Sequence, residues 1–398
     1  MIERKSLKYT VLFAILFFPF CVAGTFSYTI PFIYQASIYL KYVFCFFMVI
    51  LSIKTIQKKD QLPLFLLILV FLIIVLVSTC INRVNLNSYA IYASRVLFFL
   101  FYFELASRVH PREMFSAVWL VCFILTAINI LSILLYPNGL YTRFDLFTSG
   151  KGMAYWFLGN RNLFVDYLFP MLVMSLLLQY ITNGKYIRFF ISMALSIITI
   201  ILTGSATTFL VVAILLVYFL LFRRGFLKKI VNPIVWNAFY FFATVIVIVF
   251  SNLSFFTYFI TNILQRDMTL SYRTIIWRNV MDHIIRNPII GYGYRAGENF
   301  IDNSIVMHAH NLFLHFAYSG GIFAVALLIL LIILCTFKIR KVKKMNTVYT
   351  MFTFIFFAYL WMEFSEPRIY FPFLFAIVTI IYNIPSIISY RSKVSGKL

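Results

Sequence analysis

Of 398 residues, 63% are hydrophobic and 12% charged, with a mean hydropathy of +0.94 and a formal net charge of +22. A soluble domain carries about 25% charged residues, so this chain has too little polar surface to cover a water-soluble body and requires a bilayer. The positive balance does not indicate nucleic acid, because the lysines and arginines cluster in short linkers between apolar runs, where they serve as topology signals.

A helix needs about 20 apolar residues to cross a hydrocarbon core about 30 Å thick. In chain order the spans expected are roughly 8–26, 31–53, 62–81, 88–106, 114–136, 161–181, 187–203, 206–222, 233–251, 311–336, 347–364 and 368–388. Arg4, Lys5 and Lys8 ahead of the first run resemble the start of a signal peptide, but the many spans that follow favour an uncleaved helix. Cys21, Cys45, Cys80, Cys122 and Cys335 stand singly, without disulfide or metal spacing.

Charge orients the spans. With both termini in the cytoplasm, 22 of the 34 basic residues fall in cytoplasmic segments, as insertion favours. The chain then reads as one polytopic membrane domain, 1–398, of about twelve helices. Two outer segments are more than connectors: about 137–160, and a long loop over 252–310 between the ninth and tenth spans. Loops of such length are commonly functional. The basic residues of the long loop are all arginines: Arg266, Arg273, Arg278, Arg286 and Arg295. Arg143, Lys151 and Arg161 belong to the earlier segment. Arginine on the translocated side runs against the insertion bias, and its planar fork suits phosphate, which points to an anionic outer-leaflet ligand.

Within the long loop, residues 271–287 read SYRTIIWRNVMDHIIRN. Trp277, Val280, Met281, Ile284 and Ile285 recur at helical spacing, so an amphipathic helix is expected to lie apolar face down on the outer membrane surface. Arg278, Asp282 and Arg286 are spaced for a solvated ion-pair ladder. Arg273 has Trp277 rather than an acid at i+4, leaving its charge available for a ligand. Past Pro288, Gly291 and Gly293 permit a tight turn with close backbone approach. Glu298 and Asp302 read as solvated acids.

The segment HAHNLFLHFAYSGGIFA opens the tenth span at His308. If it is helical throughout, His310, Ala317, Gly321 and Ala324 share one face, with an imidazole at the water interface above small residues. Such a stripe admits another helix closely or leaves room for a lipid chain. His310 with Asn311 could take a proton from a bound hydroxyl; a purely structural interfacial histidine fits as well. His308 and His310 lack a third metal ligand of convincing spacing, so no metal and no cofactor are expected.

These residues give the chain its resemblance to the O-antigen ligase and polysaccharide polymerase superfamily of Wzy-type and ligase-type membrane glycosyltransferases. The resemblance rests on Arg273 to Trp277, Asn287-Pro288, Gly291-Tyr292-Gly293, His310-Asn311 and Gly321 to Ala324, with Arg143 and Asn162 similar to an upstream arginine and asparagine. It covers roughly 140–365. Ser205-Ala206 departs from it, since many members carry Ser-Arg there; Arg143 or Arg161 would then supply the charge.

The resemblance implies a GT-C-like fold in a bacterial cytoplasmic membrane and a metal-independent glycosyl transfer from a polyprenyl-diphosphate-linked glycan. It implies catalytic roles for His310, Arg273 and Arg143, and substrate contacts by Arg161, Asn162, Asn311, Gly291, Gly293, Gly321 and Arg295. The polyprenyl tail would lie near the small-residue stripe. Membrane lipids and other polysaccharide-assembly proteins are the partners implied; nucleic acid is not. Polymerase and ligase differ only in acceptor, with polymerase favoured because the outer loops offer no docking site for a large acceptor. A glycolipid flippase is the reading from another class. It would show matched halves and mid-membrane ionisable residues, and the chain shows no repeat and few such charges: Lys41, Arg95, Glu104 and Asp166.

Overall fold

A computed structural model of the chain describes residues 2–56, 61–143, 152–250, 273–294, 308–394 and 396. The helices, in order, are α1 (Ile2–Phe17), α2 (Pro31–Ile56), α3 (Leu62–Ile81), α4 (Leu86–Arg108), α5 (Pro111–Leu135), α6 (Val165–Thr182), α7 (Ile187–Thr203), α8 (Ala206–Val217), α9 (Pro233–Phe250), α10 (Arg273–Arg286), α11 (Leu312–Lys341), α12 (Asn346–Ser365), α13 (Phe373–Tyr382) and α14 (Ile384–Val394). Between α5 and α6 a short antiparallel hairpin pairs β1 (Tyr141–Arg143) with β2 (Met153–Tyr155).

Local sequence sets many of these boundaries. Prolines open α3 and α5 in the first turn, where a missing N–H costs nothing. The Asn85 side chain caps α4 by accepting from the Asn87 amide, and Ser205 caps α8 by accepting from the Thr208 amide. Asn183 and Gly204 end α6 and α7 in left-handed conformations.

Helices α2, α3, α4, α5, α6, α11 and α12 are long and apolar enough to cross a membrane, and α13 with α14, bent by 64° at Asn383, forms an eighth if taken as one broken span. The protein is therefore an all-α, multi-pass membrane protein. Four of the twelve spans expected from sequence are occupied by shorter apolar helices: Ser6–Cys21, Ile187–Thr203, Ala206–Phe222 and Pro233–Ile248. By length and composition, seven or eight helices among the described residues qualify as full spans, which leaves the count of twelve unconfirmed.

Two expectations about the loop-rich end of the bundle need correction. The apolar face of α10 does not lie free: Ile276, Trp277 and Val280 are buried against Ala309, Leu314 and Tyr318, with Ile248 and Phe364 alongside. The helix packs on protein because α11 and α12 present a matching apolar surface. Its Arg278 and Asp282 are exposed, as is Arg286, and no ion pair joins these three.

The second correction concerns the small-residue stripe. Helix α11 starts at Leu312, after His310, and is broken at Gly321 (φ 66°, ψ −164°), so His310 and Gly321 do not share a continuous face. Into the break docks the segment after α10. The amides of Tyr292 and Gly293 donate to the carbonyls of Tyr318 and Ser319, and the Ile322 amide donates to the Pro288 carbonyl. A Cβ at Gly321 would sit 2.0 Å from the Ile289 oxygen, and one at Gly291 2.6 Å from the Tyr318 oxygen. Next to it Gly320 faces Val75 of α3. Protein, not a lipid chain, fills this face.

Candidate functional site

The site forms where α12 ends. Pro367 disfavours helical backbone at the residue before it, and Glu366 is accordingly extended (φ −164°, ψ 109°). That turn carries the Glu366 carboxylate out of the helix and toward two other elements. Its Oε1 lies 3.3 Å from His308 Nε2; its Oε2 lies 3.9 Å from His310 Nδ1 and 3.7 Å from Arg273 Nη2 at the start of α10. Three side chains from two parts of the sequence thus converge on one carboxylate from a third.

Backbone geometry holds the two imidazoles there. Asn311 is fully buried and caps α11: its Oδ1 accepts from the amides of Phe313 and Leu314, and its Nδ2 donates to the Phe364 carbonyl of α12. This asparagine, expected to touch substrate, staples α11 to α12 beside the site, with both polar atoms of its side chain engaged. Immediately before it, His310 has φ 49°, a left-handed conformation costing a non-glycine residue roughly 1 kcal/mol or more and concentrated at functional sites. The His310 amide donates to His308 Nδ1 at 3.3 Å. With Nδ1 accepting, a neutral His308 carries its proton on Nε2 and donates it to Glu366. His310 keeps 21% of its side chain exposed against 9% for His308, so His310 is the imidazole open to a ligand.

Burial would raise the Glu366 carboxyl, but the hydrogen bond from His308 and the neighbouring His310, His308 and Arg368 outweigh it and hold the group well below the usual carboxylate range. Glu366 is an anion at neutral pH. Arg368 is itself buried: its Nη1 donates to the Asn162 carbonyl at 2.9 Å and lies 3.4 Å from Asp166, while its amide donates to Glu363 at 2.9 Å. It clamps the start of α6 to the end of α12.

Of the residues singled out from sequence, Arg273 and His310 are therefore brought together, through Glu366. Asn162 joins by its backbone carbonyl, through Arg368. Gly291, Gly293 and Gly321, expected at the substrate, lie in the backbone docking of residues 288–293 on α11. Gly293 also approaches α3, where the following Tyr294 amide donates to Thr79 Oγ1. Arg143 lies elsewhere in contact terms: it is exposed on β1, with its guanidinium 5.8 Å from the ring centre of Tyr28 and 5.9 Å from that of Tyr155. Arg161 is exposed, and Arg295, Glu298 and Asp302 lie outside the described residues. Sequence reasoning missed Glu366 and Arg368; the signal was an acid and an arginine flanking Pro367 in a very short connector between apolar runs.

His308, His310 and Glu366 also form a group whose ligand atoms all lie within 4.8 Å of one another, so the third metal candidate that spacing did not reveal is supplied by Glu366. Two observations weigh against a cation there. His308 Nε2 would have to give up its proton donation to Glu366, and the guanidinium of Arg273 already faces the same carboxylate.

The fold and site define a multi-pass helical membrane protein with a histidine–carboxylate–arginine cluster at the loop-rich end of its bundle. Residues 191–329 match the family model described as O-antigen ligase, which supports membership of the O-antigen ligase and polymerase superfamily, whose members are glycosyltransferase-like enzymes. The match spans about a third of the chain and includes Arg273, Gly291, Gly293, His310 and Gly321, but ends before Glu366. No curated protein matches the chain.

Proposed function

We propose that the protein polymerises polyprenyl-diphosphate-linked oligosaccharide repeat units into surface polysaccharide at the outer face of the bacterial cytoplasmic membrane, with both termini inside. The observation that carries this reading is the convergence of His308, His310 and Arg273 on Glu366. One imidazole of the set is accessible and backed by an anion, and a guanidinium stands beside it.

In the reaction an acceptor sugar hydroxyl attacks the anomeric carbon that bears the diphosphate. A carbon–oxygen bond forms to the acceptor as the bond to the diphosphate breaks, releasing polyprenyl diphosphate. The hydroxyl proton passes to His310 at Nε2, since Nδ1 is the nitrogen turned toward Glu366. Glu366 then offsets the imidazolium charge, as the buried carboxylate does in a histidine–acid pair. At 3.9 Å that contact is longer than a hydrogen bond, and such contacts commonly tighten when substrate binds. Arg273 offsets the negative charge growing on the diphosphate. Arg143 and Arg161, both exposed, meet the anionic carrier or its glycan. No step requires a metal, because the diphosphate is already an activated leaving group.

The deciding test is a glycan-length profile of cells lacking the protein, complemented with wild type or with His310→Ala. Accumulated single repeat units, restored to long chains by wild type only, support a polymerase. Full-length chains that stay unattached would replace it with a ligase. Normal chains without the protein would remove both.

A further inference from the structure

The four mid-span charges noted from sequence, Lys41, Arg95, Glu104 and Asp166, divide into two pairs. Glu104 meets Arg108 and the Asn383 amide, and Asp166 meets Arg368. Lys41 of α2 and Arg95 of α4 have no carboxylate partner among the described residues. The groups close enough to act on Lys41 are the Arg95 guanidinium and the Cys21 thiol; those acting on Arg95 are the hydroxyls of Tyr294, Tyr370, Tyr34 and Tyr42. Two basic side chains therefore line one cavity, with Lys41 only 4% exposed. An ionisable group at such depth without a carboxylate beside it is costly and marks a site by default.

The two side chains open into a cavity of about 40 Å³ between α2 and α4, lined also by Tyr34, Ile38, Tyr42 and Ser94. A water needs about 10–15 Å³ measured this way, so the cavity admits the few oxygens of a phosphate. Lys41 lies ten residues into α2 and Arg95 nine into α4, about 13–15 Å along each helix; Tyr42, which lines the cavity, is itself exposed, and Tyr39 and Phe46 extend that apolar exposed surface of α2 one turn to either side of it. A soluble anion would have to cross that apolar surface, whereas a lipid would lay its chain along it. Above the cavity, the Arg95 guanidinium stands 5.7 Å from the ring centre of Tyr370, in the same connector as Glu366.

We infer that the Lys41–Arg95 cavity binds the phosphate of a lipid, its hydrocarbon chain lying on the exposed face of α2. The inference does not depend on the reaction proposed above. Recognition is by charge and by hydrogen bonds from the ammonium, the guanidinium and the surrounding tyrosine hydroxyls. The source of the phosphate, a polyprenyl carrier or a common anionic phospholipid, is for the experiment to separate.

The full-length protein is placed in phosphatidylcholine nanodiscs that are plain, or doped with undecaprenyl phosphate, or doped with phosphatidylglycerol, and its Tm is read in each. Wild type should gain several degrees in at least one doped disc, and Lys41→Met/Arg95→Met should lose that gain, with affinity weakened about tenfold or more. A gain with undecaprenyl phosphate alone identifies the polyprenyl carrier; an equal gain with phosphatidylglycerol identifies an anionic phospholipid. Equal shifts in wild type and variant, or none in wild type, would overturn the proposal. If the double variant does not fold, the single variant Lys41→Gln is compared with wild type by native mass spectrometry for retained phosphorus-bearing lipid. Retention equal to wild type would overturn it as well.

Discussion

His310 and Arg273 sit on different elements, one just ahead of α11 and the other at the first turn of α10, yet both face the same oxygen of Glu366, at 3.9 and 3.7 Å. An imidazole and a guanidinium that share one anion are fixed relative to each other before any ligand arrives, and this sets the first expectations.

His310→Ala should lower chain growth by about a hundredfold or more, the usual contribution of a general base, without changing insertion or expression. His308→Ala should cost less, since that ring is more buried and works through Glu366. Glycan-ladder analysis of membranes checks both; equal losses in the two variants would take the proton-accepting role away from His310.

Glu366→Gln keeps the size of the side chain and removes its charge. Activity should fall about as far as with His310→Ala, because an imidazolium would form without its counter-charge. Turnover of lipid-linked repeat units by the purified protein reads this out, and turnover within a factor of two of wild type would place Glu366 outside the chemistry.

The same variant reports on stability in acid. The folded-state carboxyl is held below its ordinary value, so its stabilising contribution is present above roughly pH 4.3, the ordinary glutamate value, and is lost as pH falls through the lower folded one. The Tm difference between wild type and Glu366→Gln should therefore shrink as pH drops below about 4. A gap that widens in acid would contradict the ionised state assigned to Glu366.

Arg273→Lys should impair turnover, since an ammonium loses the planar fork that meets a carboxylate on one side and a diphosphate on the other. A tenfold fall or more in kcat/KM is the expectation at about 1.4 kcal/mol per tenfold. Full activity in this variant would remove Arg273 from the site.

Two glycines separate packing from conformational cost. Gly321→Ala places a methyl 2.0 Å from the Ile289 oxygen at a backbone with φ 66°, and should cost about 3 kcal/mol or more through overpacking and strain. Gly204 has nearly the same φ, 63°, but nothing within 4 Å, so Gly204→Ala should cost only about 1 kcal/mol. Thermal unfolding in detergent compares them, and equal losses would show that the close docking of residues 288–293 contributes little.

Much of the architecture was legible because it follows from local rules. Apolar runs of twenty residues, proline at helix starts, and the 3.6-residue period of residues 273–286 each declare a helix without reference to the rest of the chain. His310 and Arg273 were legible as ionisable groups at the starts of α11 and α10. The same local rules misplaced what they could not see. The period of α10 showed an apolar face but not the partner of Ile276, Trp277 and Val280, which is α11 and α12. The spacing of His310 and Gly321 suggested one continuous stripe, and a left-handed Gly321 broke it.

The order of apolar and charged residues by itself determined that this protein lives in a bilayer as a series of helices, because each span satisfies its own backbone hydrogen bonds and buries its side chains wherever its neighbours lie. Only the tertiary structure decided that Glu366 draws His308, His310 and Arg273 together, that Asn311 and the glycines are fasteners, and that Lys41 and Arg95 line one cavity. Those relationships join residues far apart in the chain, and their energies depend on distance and burial, neither of which any stretch of sequence contains.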